Sequence, residues 1–221
     1  MSAFDRLTVY QSMLSVGLVP LFYHPDVETS RQAVEACVAG GTTVMEFTNR
    51  GEGALAVFAS LVTHFRKANP KLMLGIGSIT DAPTAALALA YGADFIVAPV
   101  FNPEVARLCN RRKIAYLPGC ATPTEIATAE EAGAEIVKIF PPNPDLIKAV
   151  LGPMPWSRLM PSGGVEVKQE NVEKWIKAGA ACLGIGSNLI NPKILASGSY
   201  TSISEGVSSL LGWIKAARQA P

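Results

Sequence analysis

Apolar residues along this chain follow two alternating rhythms. Short runs rich in Val, Ile, Leu and Phe lie near 18–23, 43–48, 72–76, 94–98, 114–117, 135–140, 157–161 and 181–185. Runs this short and this continuously apolar predict strands of a parallel sheet covered on both faces. Between them, helical patterns span 27–39, 53–68, 82–91, 103–112, 123–132, 144–150 and 168–179. A further helix precedes the first strand, and another closes the chain near 202–218. The junctions repeat: "VAGGTTVMEF" (38–47), "AYGADFIVAP" (90–99), "EAGAEIVKIF" (131–140) and "KAGAACLGIG" (177–186) each pass from a helix through glycine into a strand. Glycine reaches the left-handed conformation that stops a helix at no steric cost.

Eight strands alternating with helices predict an α/β fold, a (β/α)8 TIM barrel with an N-terminal helix. An open doubly wound sheet is the fallback. No linker or low-complexity tract divides the chain, so residues 1–221 are expected to form a single barrel domain, with the Gly/Ser-containing stretch 196–205 as a loop.

Composition narrows the function. Hydrophobic residues make up 49% and charged residues 17%, enough for a large core, and the net charge of +1 gives no general pull toward nucleic acid or membranes. The one compact basic run, Arg111-Arg112-Lys113, falls at a helix end, where cations suit the helix dipole. Cysteines at 37, 109, 120 and 182 form no CxxC pair and fit neither a zinc site nor a disulfide framework. Reduced thiols and a cytoplasmic location are therefore expected. The N-terminal stretch lacks the pattern of a signal peptide. The longest apolar region, 85–101, is broken by Gly92, Asp94 and Pro99 and predicts no membrane span.

Barrels of this kind carry their chemistry at the C-terminal ends of the strands. Two charged residues there lie inside apolar strands: Glu46 in the second and Lys138 in the sixth, within "AEIVKIFPP" (134–142). Alternation puts Val44, Glu46 and Thr48 on one face, and Ile136, Lys138 and Phe140 on one face; if Glu46 points into the barrel mouth, Lys138 can face it across the lumen. A buried ion pair alone rarely improves on apolar packing. A lysine made neutral by desolvation or by a nearby cation such as Arg50 attacks ketones, and a nearby glutamate moves the protons. After the last two strands come "SGGV" (162–165) and "GIGSNLI" (184–190), where this fold often binds phosphate with backbone N–H groups. Ser187 is expected to open a short helix there. Neither "GIGSIT" (75–80) nor "GIGSNL" completes a dinucleotide fingerprint. Clustered carboxylates or histidines suited to a metal are lacking at the strand ends.

Taken together, "AGGTTVMEFTNRG" (39–51), "GIGSITD" (75–81), "FIVAPVFNPEV" (95–105), "LPGCATPTEI" (117–126), "EIVKIFP" (135–141), "MPSGGV" (160–165) and "CLGIGSNLI" (182–190) resemble the 2-keto-3-deoxy-6-phosphogluconate (KDPG)/4-hydroxy-2-oxoglutarate (KHG) aldolases, class I pyruvate aldolases. The resemblance covers roughly residues 8–192. It implies a metal-independent, cofactor-free homotrimer of barrels that cleaves the phosphorylated keto acid to pyruvate and glyceraldehyde 3-phosphate. It also implies residue roles. Lys138 matches the Schiff-base lysine, Glu46 the general acid/base, and Arg50 the arginine that helps hold the pyruvate carboxylate. Ser78 and Ser162 stand where the family commonly has substrate-contacting threonines. Pro99 matches a proline lining the site, and Gly163, Gly164, Gly186 and Ser187 match the phosphate-binding turns. The serines lack threonine's methyl and its stiff rotamer. "PPNPD" (141–145) departs from the usual segment after the lysine strand. A 2-keto-3-deoxy-6-phosphogalactonate aldolase, an isomerase or synthase using Glu46 without a covalent step, and a non-catalytic phosphosugar binder are the alternatives. His24 at the mouth has no assigned role, and His64 is expected on a helix surface.

Overall fold

The structure is a computed structural model and describes residues 2–219. A helix, α1 (Arg6–Val16), precedes a run of strands and helices: β1 (Leu18–Phe22), α2 (Val27–Ala39), β2 (Val44–Thr48), α3 (Ala54–Ala68), β3 (Met73–Gly77), α4 (Ala82–Ala90), β4 (Phe95–Val97) and α5 (Pro103–Arg112). The second half continues with β5 (Ala115–Leu117), β6 (Gly119–Cys120), α6 (Pro123–Glu131), β7 (Val137–Ile139), α7 (Pro144–Leu151), β8 (Leu159–Pro161), α8 (Gln169–Lys177), β9 (Leu183–Ile185), α9 (Pro192–Ser197) and α10 (Tyr200–Gln219).

Local chemistry explains the boundaries. Asp5, Asp26, Asp81, Asn102, Asn143 and Asn191 each cap a helix by accepting backbone N–H bonds, and Thr122 with Glu125 forms a capping box. Proline stands in the first turn of α4, α5, α6, α7 and α9, where its missing N–H has no helical partner to lose. The recurring helix-to-strand turns hold Gly41, Gly92, Gly133 and Gly179 at positive φ, as the repeated motif requires.

Every strand pair is parallel. One sheet has the order β5-β4-β3-β2-β1-β9 and a second has β6-β7-β8. They curl into one barrel wall. β8 meets β9 through the Ser162–Gly184 bridge and through Ala181 N donating to Leu159 O at 2.9 Å. β5 is the expected fifth strand, and β6 carries it on past Pro118, which has no N–H for the ladder. β5 pairs with β4 and β6 with β7, and Pro118 O accepts the Lys138 N–H at 2.9 Å.

Two apolar layers fill the barrel. Inside, Val19, Val44, Met73, Phe95, Val97, Leu117, Ile136 and Met160 meet Val9, Tyr10 and Met13 of α1, which plugs the bottom. Outside, a larger cluster joins the strands to the surrounding helices. α10 packs against both α2 and α8, and so covers the seam where the last strand meets the first. It buries Ile203, Val207, Leu210 and Ile214, and Arg218 donates to Leu14 O at 2.9 Å and to Ala181 O at 2.6 Å. The loop expected over 196–205 is mostly helical. α9 ends at Gly198, α10 begins at Tyr200, and the hydroxyls of Ser202 and Ser204 bond carbonyls three residues back. Serine content misled because those hydroxyls find local partners inside the helix. Among the described residues no helix is long and apolar enough to cross a membrane.

Candidate active site

Glu46 sits in β2 with its carboxyl directed over β3, where Gly77 leaves room; any side chain at Gly77 would collide with it. One turn of the pleat lower, Gly75 likewise yields to the Phe95 ring. The "GIG" of residues 75–77 is thus a missing wall that admits an acid above and an aromatic ring below. Glu46 is only 1% exposed, and neither carboxyl oxygen has a hydrogen-bond partner among the described residues. Burial raises its pKa above the ordinary 4.5, and the charges of Lys138 and Arg50 pull it partly back.

Lys138 is the central residue of β7 and is 7% exposed. Its Nζ lies 5.4 Å from the centroid of the Phe140 ring, a cation–π contact at the strand end. Phe140 itself is half open to solvent and is joined to Pro141 by a cis peptide bond. Beside Lys138 opens a cleft of about 370 Å³ lined by Arg50, Tyr23, Ser162, Gly163, Gly164, Gly186, Ser187 and Asn188 as well as apolar side chains. Lys138, Arg50, Ser162 and both glycine turns therefore meet in one place, with Glu46 buried next to the two cations.

The glycine turns present backbone donors. Gly163 and Gly164 have φ of 96° and 64°, a region closed to most side chains, and a side chain on Gly164 would also press on Pro142. Among the described residues, the N–H groups of Gly164, Val165, Gly186, Ser187 and Asn188 have no hydrogen-bond partner. Unpaired N–H groups of successive residues around one cleft make a nest suited to an anion. Ser187 does not open a helix as expected. Residues 186–190 form a single turn in which Gly186 O accepts from Leu189 N and Ile190 N, and helix α9 starts only at Pro192, after its Asn191 cap.

Some expected residues stand apart. Ser78 follows β3 with φ of 61° and is half-buried, but it does not line this cleft. Pro99 lines a neighbouring cleft of about 260 Å³ with Gly119, Phe101 and Phe140. His24 Nδ1 accepts from Asp26 N at 3.2 Å and so serves its own loop. His64 lies 3.7 Å from Glu35 on the outer helices. All four cysteines are free and buried. Among the described residues no three His, Cys, Asp or Glu side chains converge as a metal site would need.

Tyr23, Phe140, Gly77 and Asn188 line or shape the site without a role expected from the sequence. Tyr23 rests its hydroxyl over Gly51 and tilts its ring at 5.8 Å from that of Phe47. Only the position of "FYH" at a strand end pointed to it.

A model of the KDPG and KHG aldolases matches residues 9–205. The chain is 26% identical over 211 residues to the 2-dehydro-3-deoxy-phosphogluconate aldolase of Haemophilus influenzae, covering 94% of this chain and 97% of the relative. It is 33% identical to the 2-dehydro-3-deoxy-6-phosphogalactonate aldolase of Escherichia coli K12 over 154 residues, which are 68% of this chain and 71% of that one. Among solved structures, a 4-hydroxy-2-oxoglutarate/phosphogluconate aldolase superposes with a TM-score of 0.78 at 27% identity, covering 96% of this chain and 100% of the other.

Proposed function

The chain belongs to the KDPG and KHG aldolase family, and from that premise we propose that Lys138 and Glu46 carry out a Schiff-base aldol cleavage of 2-keto-3-deoxy-6-phosphogluconate. The observation behind this reading is the buried, unpartnered Glu46 carboxyl within the electrostatic reach of Lys138 and Arg50, which line an open cleft.

The neutral Lys138 amine adds to the C2 ketone, and loss of water leaves a protonated imine. Glu46, as carboxylate, takes the proton of the C4 hydroxyl. The C3–C4 bond breaks, its electron pair passes into the imine to form an enamine, and glyceraldehyde 3-phosphate leaves. Glu46, now protonated, returns the proton to C3, and water hydrolyses the imine to release pyruvate and the free lysine. A carboxyl whose pKa is raised by burial suits both halves of that exchange. Arg50, in the same cleft, holds the substrate carboxylate. Ser162 offers a hydroxyl to the keto acid, and the N–H groups around Gly163, Gly164, Gly186 and Ser187 take the phosphate. Ser78 and Pro99 stand outside this cleft, and a substrate contact for either rests on the family resemblance alone. The 2-keto-3-deoxy-6-phosphogalactonate isomer and unphosphorylated 4-hydroxy-2-oxoglutarate are competing substrates, to be ranked by kcat/KM.

Two further readings rest on the family resemblance and composition: a homotrimer of barrels, each formed by one domain of residues 1–221, working in the cytoplasm. Trapping tests the central reading. Borohydride added with pyruvate should place a pyruvyl adduct on a peptide containing Lys138, and a protein that stays unmodified sinks it.

A further inference from the structure

The anion nest is only as good as the direction of its N–H groups, and a second ring of side chains fixes that direction. In a planar trans peptide the C=O and N–H point to opposite sides. Gly164 O accepts from Asn171 Nδ2 at 3.2 Å and from Trp175 Nε1 at 3.4 Å, both on α8 behind the turn. With that carbonyl drawn back toward the helix, the N–H of Val165, in the same peptide unit, is turned to the cleft. Asn171 also accepts the Glu166 N–H at 2.9 Å, which holds the next peptide the other way round. Its carbonyl, Val165 O, accepts Asn188 Nδ2 at 2.8 Å.

Asn188 belongs to the turn after β9, whereas Val165 belongs to the turn after β8. This bond therefore spans the two halves of the nest, while Gly186 O is occupied within its own turn by Leu189 N and Ile190 N. Carbonyl oxygens facing the cleft would repel an anion; here those of Gly164, Val165 and Gly186 all have donors of their own.

We propose that Asn188 and Asn171 are positioning residues for phosphate selectivity. Asn188 fixes the spacing of the two turns, and Asn171, backed by Trp175, aims the Val165 N–H at the anion. The inference rests on the phosphate reading of the same cleft and adds to it the residues that make the nest discriminate a phosphorylated keto acid from its unphosphorylated counterpart. Neither side chain needs to touch the substrate.

The test uses the full-length protein with Asn188→Ala and, separately, Asn171→Ala. Each removes the side-chain donor to its carbonyl, Val165 O or Gly164 O, and neither adds a charge near the anion. Two quantities are read: the inhibition constant of inorganic phosphate against aldol cleavage, and the ratio of kcat/KM for 2-keto-3-deoxy-6-phosphogluconate to that for 4-hydroxy-2-oxoglutarate. Each variant should weaken phosphate inhibition about fivefold to tenfold, the scale of one lost hydrogen bond, and lower the ratio similarly. A general loosening of the barrel would depress both substrates together and leave the ratio unchanged, which overturns the proposal. Phosphate competing equally in the wild type and both variants overturns the positioning role alone. Phosphate failing to compete in the wild-type protein overturns the phosphate reading and this inference with it.

Discussion

Among the described residues two carboxylates are buried in this barrel, one at each end, and they are treated in opposite ways. Asp94 lies just below β4 with no exposed surface, and accepts from Leu74 N at 2.9 Å, Ala3 N at 3.1 Å, Ser2 Oγ at 2.9 Å and Arg66 Nη2 at 2.6 Å. Glu46, near the top of β2, is as deeply buried and has no hydrogen-bond partner. The bottom of the barrel is finished in other respects too. The Tyr10 hydroxyl donates to Tyr116 O and accepts from Tyr116 N, and burial pushes its pKa up to about 12. A satisfied buried charge ties elements together, here the N-terminal segment, α3, β3 and β4. An unsatisfied one costs stability and keeps a proton exchangeable. On the proposed mechanism one end is built to hold and the other to react, and substitutions at each end should separate the two.

The largest effect is expected at the reactive end. Lys138→Arg preserves a positive charge but not a nucleophilic amine, so turnover should fall on the order of 10⁴–10⁶-fold, the range for removal of a covalent nucleophile. An enzyme that used Glu46 without a covalent step would keep appreciable turnover, so steady-state assay of this one variant decides between the mechanisms. Glu46→Gln comes next. On the proposed mechanism it removes the proton carrier and leaves the amine, so kcat should drop by about 10²–10⁴ while pyruvate is still trapped on Lys138. Loss of trapping along with turnover would mean that Glu46 serves imine formation instead.

The finished end should answer in stability and not in rate. Asp94→Ala leaves the partly exposed Arg66 and the buried Leu74 N–H without their shared acceptor, and leaving such donors unsatisfied costs about 1–3 kcal/mol. Chemical denaturation should show that loss, with kcat unaltered at temperatures where the variant stays folded. A fall in kcat comparable to that of Glu46→Gln would erase the distinction between the two ends.

The two ends also differ in how far they could be read from the chain. The alternation of short apolar runs with helical ones, and the repeated glycine junctions, gave the barrel, because each signal lies within about ten residues. Lys138 and Glu46 stood out because a charge inside an apolar strand is anomalous by itself. What escaped is what depends on residues distant in sequence. Gly77 looked like part of a weak glycine motif, and only its place across from Glu46 reveals it as the space for a carboxyl. Pro118 gave no sign that it would split a strand between two neighbours. Ser187 was expected at a helix start, but the Asn191-Pro192 pair marks the true one. The carbonyl of Gly164 is held by Asn171 and Trp175, which belong to a different element from the turn itself. Asp94 registered only as an interruption of apolar sequence, and its four partners come from three separate segments.

The smallest effect concerns the pH dependence of stability. Burial raises the Glu46 pKa in the folded protein above its ordinary 4.5, so the folded state binds this proton more tightly than the unfolded chain does. Stability contributed by the neutral carboxyl is then fully present below the ordinary value and is lost as pH rises toward the raised one. Glu46→Gln cannot ionise and escapes that loss. The Tm of the variant minus the Tm of the wild type should therefore climb as pH increases from about 4.5 and level off once the folded-state carboxyl has ionised. The amide shifts stability by its own packing and hydrogen bonding, but by the same amount at every pH. It is the slope of the difference, and not its sign, that carries the information. A difference that stays flat across this range would show Glu46 titrating alike in the folded and unfolded chains, and the unpartnered carboxyl would then lose its claim to an unusual environment.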